Sequence, residues 1–170
     1  VRVLHQSFGT AGDFPLSPAS VAALYSVVLF LGSDCSRYIL HRLCHELPLL
    51  WQFHQVHHSA EVMTPLTLYR SHPVENLLFT LRSILVTGVI TGVFFYLFGR
   101  EAVQYQVLGV NIFGFLFNAL GANLRHSQVW VSYGSALEHW LISPAQHQLH
   151  HSDAPEHFGT NYGSCLAIWD

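Results

Sequence analysis

The sequence predicts an all-α fold, an integral membrane helical bundle with a histidine-rich cap. Two observations support this prediction. Apolar residues make up 51% of the chain and charged residues only 10%, whereas ordinary soluble domains carry about 25% charged residues. In addition, the chain holds 13 histidines, and most of them fall in short groups at helical spacing. Few charges favour a lipid environment, and grouped imidazoles indicate a built site.

Length, charge and cysteine content set the outer limits of the prediction. A chain of 170 residues has single-domain length, so residues 1–170 are expected to form one domain. The net charge of −3 and the lack of any lysine or basic run argue against a nucleic-acid partner. Three cysteines without a CxxC pair favour a reducing compartment. Neither terminus carries a clear signal, and we expect a fragment that lacks an N-terminal span and the extreme C-terminus.

Three apolar segments are candidates for membrane spans. The first covers residues 19–31 after Pro18 and can continue as a helix to His45, whereas residues 77–98 give the strongest signal. After a polar break, residues 102–120 are again mostly apolar. The stretch from 77 to 120 is therefore long enough for two spans of about 20 residues each. Two spans return the chain to the side it left, so early and late histidines can meet.

Arginine placement predicts which side of the membrane the histidines face. Arg100 lies at the far turn between the second and third predicted spans. The histidine side carries Arg37, Arg42, Arg70, Arg82 and Arg125. Because cytoplasmic loops are enriched in arginine and lysine, the cap is predicted to be cytosolic.

The histidines form three groups, each on one helical face. Positions i, i+3 and i+4 share a face of an α-helix, and neutral imidazole is the commonest metal ligand. Eight imidazoles in three groups are more than a protein core needs, so the sequence predicts a metal site, with two metals. The groups are His41 with His45, His54 with His57 and His58, and His147 with His150 and His151.

Several nearby residues are candidates for supporting roles. Asp34 shares a stripe with the first histidines, and it either orients a ligand imidazole or is a solvated acid opposite Arg37 or Arg42. His72 is either a ligand or a structural partner of Glu75, with the structural role preferred. A turn-rich loop near the last group adds Asp153, His157 and Asn161.

The sequence excludes some kinds of metal chemistry. Soluble di-iron bundles use carboxylate bridges with ExxH pairs, and none occurs here. The HExxH motif of zinc hydrolases is absent because His45-Glu46 is followed by Leu49 at the required position. Metal-free Ser-His-Asp catalysis also lacks support, since no GxSxG elbow occurs. A redox enzyme and a metal transporter remain. A transporter places its ligands within the spans, whereas residues 77–120 hold no histidine, which favours an enzyme acting on a membrane-dissolved substrate.

The motifs HRLCH, HQVHH and HQLHH, with RSHPVE between them and NYG after them, resemble those of the membrane fatty acid hydroxylase/sterol desaturase superfamily. The resemblance runs from about Asp34 to Trp169. It implies a four-helix transmembrane stalk beneath a cytosolic cap that holds two irons, with zinc able to occupy the site as purified. It further implies dioxygen as co-substrate, an external electron donor (a haem protein or a ferredoxin with a reductase), and hydroxylation or desaturation of a lipid.

The resemblance also implies which residues bind the irons. His126 joins the ligands through its match to the family pattern. The family's histidine or asparagine four residues before it is Ala122 here, and Asn123 is a candidate substitute. The HRxxH opening with short HxxHH spacing favours hydroxylation of a sterol, fatty acyl or alkylglycerol lipid, with desaturation as the alternative. The matched ligand positions are His41, His45, His54, His57, His58, His126, His147, His150 and His151.

Overall fold

The computed structural model describes residues 6–7, 16–104 and 123–170, with backbone only at 100–104 and 123. The described residues are helical, apart from loops and one isolated bridge between Leu141 and Leu166. The all-α prediction is therefore confirmed. The helices are α1 (Pro18–Glu46), α2 (Pro48–His58), α3 (Pro73–Gln104), α4 (Asn123–Arg125), α5 (Ser135–Glu138) and α6 (Pro144–His150), with 3-10 helices at Pro65–Tyr69 and Pro155–His157.

Proline and serine set several of these boundaries. Pro48 and Pro144 occupy the first turn of α2 and α6, where the missing N–H costs nothing and the fixed φ suits a helix. At α6 the Oγ of Ser143 accepts from the amide of Gln146 at 3.1 Å, and the Gln146 side chain accepts from the Ser143 amide at 2.9 Å. This capping box begins the helix that carries the last histidine group.

Two of the helices are long and apolar enough to cross a membrane, Pro18–Glu46 and Pro73–Gly99. Gly99 has φ 77° and ψ −172°, a backbone conformation open to glycine, and it interrupts α3 there. These two helices match the first two predicted spans. The third predicted span, 102–120, falls mostly on residues outside those described.

The chain divides into two compact units. The first, the apolar unit, comprises residues 1–33 and 83–115. Its described core consists of Val21, Tyr25, Leu29 and Phe94. Tyr25 meets Phe94 edge to face with ring centroids 5.2 Å apart, and its hydroxyl lies 2.8 Å from Thr91 Oγ1. A Cβ at Gly32 would lie 2.8 Å from Cδ1 of Ile90, so a larger residue there would require the end of the Ile90 side chain to move.

The second unit, the histidine unit, comprises residues 34–82 and 116–170. It contains α2, α4, α5 and α6 together with the later part of α1 and the start of α3. Its buried side chains are largely polar, in contrast to the usual composition of a protein core. They include His41, His54, His126, His147, His150, Asp34, Thr67, Glu75 and Arg125.

Candidate metal centre

Nine histidines of the histidine unit form two groups of possible metal ligands. Within each group, one nitrogen from every imidazole lies within 4.8 Å of the others. The two groups together contain all nine residues predicted as ligands, and their role as ligands remains a prediction. The five-histidine group is His41, His45, His54, His58 and His150, and the four-histidine group is His57, His126, His147 and His151.

Each HxxHH motif is divided between the two groups. In α2, His54 and His58 are one turn apart and join the five-histidine group, whereas His57 is turned into the four-histidine group. At α6, His150 joins the five-histidine group, whereas His147 and the adjacent His151 join the four-histidine group. Neighbouring residues on a helix are rotated by about 100°, so two adjacent histidines reach different sites. The expected sharing of one face therefore holds for i and i+4 pairs but not for every member of a motif.

Burial favours the neutral form of five of these imidazoles by lowering their pKa values. Desolvation, followed by repulsion from His54, lowers the pKa of His57 to about 4. Desolvation also lowers the pKa of His150 to about 4. The pKa values of His58, His147 and His151 are also lowered, first by burial and then by neighbouring histidines. Near neutral pH these side chains therefore present lone pairs, as metal ligands must.

Backbone carbonyls fix the tautomers of several of these histidines. His41 Nδ1 lies 2.7 Å from the carbonyl oxygen of Tyr162. His150 Nδ1 lies 3.0 Å from that of Thr160. A carbonyl can only accept, so each Nδ1 carries the proton and each Nε2 is left with a lone pair. His57 follows the same pattern, with its Nδ1 3.2 Å from the carbonyl of Arg70.

The Nε2 atoms that this arrangement deprotonates face one another. Those of His41 and His150 are 3.1 Å apart, with no proton available to lie between them. Two lone pairs at this distance repel, and a cation bound by both removes the repulsion. Two imidazole nitrogens bound at right angles to an ion about 2.1 Å away are themselves about 3 Å apart. The five-histidine group therefore fits a metal ion.

The four-histidine group has similar features. The Nε2 of His126 lies 3.2 Å from that of His57 and 3.0 Å from that of His147. Among the described residues, the buried Nε2 of His151 has no hydrogen-bond partner. Buried polar atoms are normally satisfied, and a metal ion satisfies a nitrogen lone pair. This group also suits a metal, whose identity the geometry leaves open.

Asp34 has a different role from the predicted ones. It is buried, with 7% exposure, so it is not a solvated acid. Its carboxylate accepts from the amides of Cys165 and Leu166, both at 3.0 Å, and from Trp169 Nε1 at 2.9 Å. Among the described contacts it orients no imidazole. Asp34 instead anchors the C-terminal segment, because donors from a distant part of the chain satisfy both of its oxygens.

Among the contacts that the structure describes, the side chains of the other supporting candidates make none with the nine histidines of the two groups. His72 accepts from the amide of Val74 at 3.2 Å and packs on Phe53 with ring centroids 4.9 Å apart, in line with the preferred structural role, although its expected partner Glu75 bonds elsewhere. Asp153 is exposed and His157 half-buried. Asn161 has φ 60° and its amide contacts Thr160. The side chain of Asn123 lies outside the described residues.

Sequence reasoning missed Glu75 as a partner of a ligand. Its Oε1 accepts from Nδ1 of His54 at 2.8 Å, and both side chains are buried. The only sequence signal is an acid at the start of the helix after RSHP, and its position predicts His72 as the partner. The separation of 21 residues between His54 and Glu75 hides the contact from any helical-face argument.

The fold and site define a class: all-helical proteins with long apolar helices and buried histidine groups suited to metal ions. Residues 26–170 match the fatty acid hydroxylase family, and the chain belongs to this family of membrane lipid hydroxylases and desaturases, which are oxidoreductases. The resemblance found in the sequence is thereby confirmed. No solved structure matches the chain.

Curated relatives carry several activities. The chain is 35% identical to alkylglycerol monooxygenase of Danio rerio over 141 residues, which is 83% of the chain and 28% of the relative. It is 31% identical to ornithine lipid hydroxylase OlsE of Rhizobium tropici over 86% of the chain and 40% of the relative. It is 26% identical to lathosterol oxidase of Rattus norvegicus over 100% of the chain and 50% of the relative. The chain thus spans between about a quarter and a half of these relatives.

Proposed function

We propose that the protein is a membrane di-iron oxygenase that uses dioxygen and external electrons to hydroxylate an unactivated C–H bond of a lipid. The observation that carries the proposal is the pair of buried histidine groups in a chain of this family. The family implies the lipid substrate. Iron is favoured over zinc because the relatives' names describe oxidations, and zinc has no redox chemistry.

The nine imidazoles would hold the two irons, and the rest of the histidine unit would orient them. When bound, the irons supply the activation of dioxygen and the removal of a hydrogen atom from the substrate. The carbonyls of Tyr162, Thr160 and Arg70 keep the ligand Nε2 atoms free of protons. Trp51 and Tyr162 pack their rings on His45, at 5.1 and 5.0 Å, and so help to exclude water from one side of the five-histidine group.

Hydroxylation is proposed ahead of desaturation because relatives at 35% and 31% identity are named a monooxygenase and a hydroxylase. Desaturation is the second candidate, supported by 29% identity to a Δ7-sterol 5(6)-desaturase of Gibberella zeae. The substrate is proposed to be of sterol, fatty acyl or alkylglycerol type. We further propose a haem protein or a ferredoxin with a reductase as electron donor, and a cytoplasmic location for the site, supported by the arginine distribution.

The test is the metal content and redox response of protein expressed with added iron and purified in detergent. We expect close to two irons per chain and an optical spectrum that bleaches with dithionite and recovers with oxygen. His57→Ala and His150→Ala should each lose metal and reduce lipid turnover by at least about a hundredfold, because loss of a residue that only orients a ligand already costs about ten- to a hundredfold. Wild-type turnover in either variant would exclude the ligand assignment.

A matched control and one competing outcome sharpen this test. His139→Ala removes an exposed histidine that lies outside both groups, and it should keep both metal and turnover. Redox-silent metal that exchanges freely, together with metal flux in proteoliposomes, would contradict the oxygenase and support a metal transporter.

A further inference from the structure

The two histidine groups differ in how their ligands are oriented. In the five-histidine group, the partner of His54 Nδ1 is the Glu75 carboxylate, at 2.8 Å. In the four-histidine group, the partner of His57 Nδ1 is the neutral carbonyl of Arg70, at 3.2 Å. The Nδ1 of His147 is buried without a partner among the described residues. One group therefore has a charged orienting contact, whereas the described contacts of His57 and His147 in the other are neutral or absent.

A carboxylate partner strengthens an imidazole ligand in two ways. It pulls on the Nδ1 proton, which raises the basicity of Nε2, and it fixes the ring orientation. It also places a negative charge close to the metal, in a buried site where electrostatic interactions are stronger than in water. Glu75 is 6% exposed, so little solvent screens its charge. Both effects favour metal binding by the five-histidine group.

The second carboxylate oxygen points to the same conclusion. Oε2 of Glu75 is buried and has no hydrogen-bond partner among the described residues. A buried ionised carboxylate with one hydrogen bond is costly unless cations lie nearby. Arg37 is one cation within electrostatic reach, and a metal held by His54 would be another. The cost of burying Glu75 without metal therefore becomes a gain when the metal binds.

We propose that Glu75 is a positioning residue that makes the five-histidine group the tighter of two unequal metal positions. The charge of Glu75 also reaches His57, but only through space, so the difference arises from the hydrogen bond to His54. This inference rests on the part of the proposed function that assigns metal to both groups. It adds the order in which the positions fill.

The test is a competitive Zn²⁺ titration of the metal-stripped full protein with a chromophoric chelator. Wild type should bind in two steps. Glu75→Gln, which keeps the shape but removes the charge, should weaken the tighter step about tenfold or more and leave the weaker step almost unchanged. The control Glu61→Gln changes an exposed acid of the same unit and should alter neither step.

A second variant shows which histidine group binds metal in which step of the titration. His147→Ala removes a ligand of the four-histidine group and should abolish only the weaker step. Adding Glu75→Gln to that background should then weaken the remaining one. Equal weakening of both steps by Glu75→Gln, together with a lower unfolding temperature of the metal-free protein, would identify a merely structural residue and overturn the inference. Wild type that binds no metal would instead overturn the proposed function.

Discussion

The apolar unit and the histidine unit differ in what they bury: the described core of the first is hydrophobic, whereas most buried side chains of the second are polar. The described core of the apolar unit consists of Val21, Tyr25, Leu29 and Phe94, and its one buried hydroxyl is paired with Thr91. The histidine unit buries imidazoles, two carboxylates and an arginine. Apolar packing stabilises the first unit, whereas the second depends on hydrogen bonds and, in the proposed function, on bound metal. One chain thus contains two regions that should respond differently to the same treatment.

Metal removal should give the largest difference between the units. Chelation leaves the facing lone pairs of His41 and His150, 3.1 Å apart, without a cation between them. Amide hydrogen exchange in residues 54–58 and 147–151 should accelerate at least about tenfold, equivalent to about 1.4 kcal/mol. Residues 84–98 should be unaffected. Equal acceleration in both units would show that metal stabilises the whole fold, and reloading with metal provides the control.

Asp34→Asn should have an intermediate effect, confined to the histidine unit. In asparagine an NH2 group replaces one of the two carboxylate oxygens and cannot accept a hydrogen bond. It therefore leaves unpaired either the amide of Cys165 or the donors of Leu166 and Trp169. An unpaired buried donor costs roughly 1–3 kcal/mol. Exchange of the Cys165 and Leu166 amides should therefore accelerate. Asp153→Asn, which changes an exposed acid, is the matched control. Amide protection of Cys165 and Leu166 equal to wild type in Asp34→Asn would contradict the role of Asp34 in anchoring the C-terminal segment.

Tyr25→Phe should have the smallest effect, confined to the apolar unit. It removes the hydroxyl 2.8 Å from Thr91 Oγ1 but keeps the ring on Phe94. Hydrogen bonds between membrane helices contribute about 0.6 kcal/mol on average. Thermal unfolding in detergent should show that the free energy of unfolding falls by about that amount, while metal content stays at the wild-type value. Loss of metal in this variant would show that the two units are energetically coupled.

The sequence was sufficient for the helices and for the nine histidines that come together, because both are visible in local periodicity and motifs. Residues 19–31 and 77–98 are apolar runs that predict helices, the first able to continue to His45, and the HxxHH spacing predicts ligands within one turn of each other. It was insufficient for Asp34 and Glu75, whose partners lie 131 and 21 positions away. Sequence spacing carries no information on such tertiary contacts. The division of each motif between two groups likewise depends on how separate helices pack.

The carbonyl acceptors behind the ligands have a consequence for the evolution of the site. Arg70 and Thr160 orient His57 and His150 through main-chain oxygens. A codon change at either position replaces a side chain and leaves the acceptor in place. Glu75 has no such protection, because its acceptor is the side chain itself. The two kinds of support therefore differ in how they tolerate substitution: a main-chain acceptor stays after the side chain changes, whereas the Glu75 acceptor is lost with its side chain.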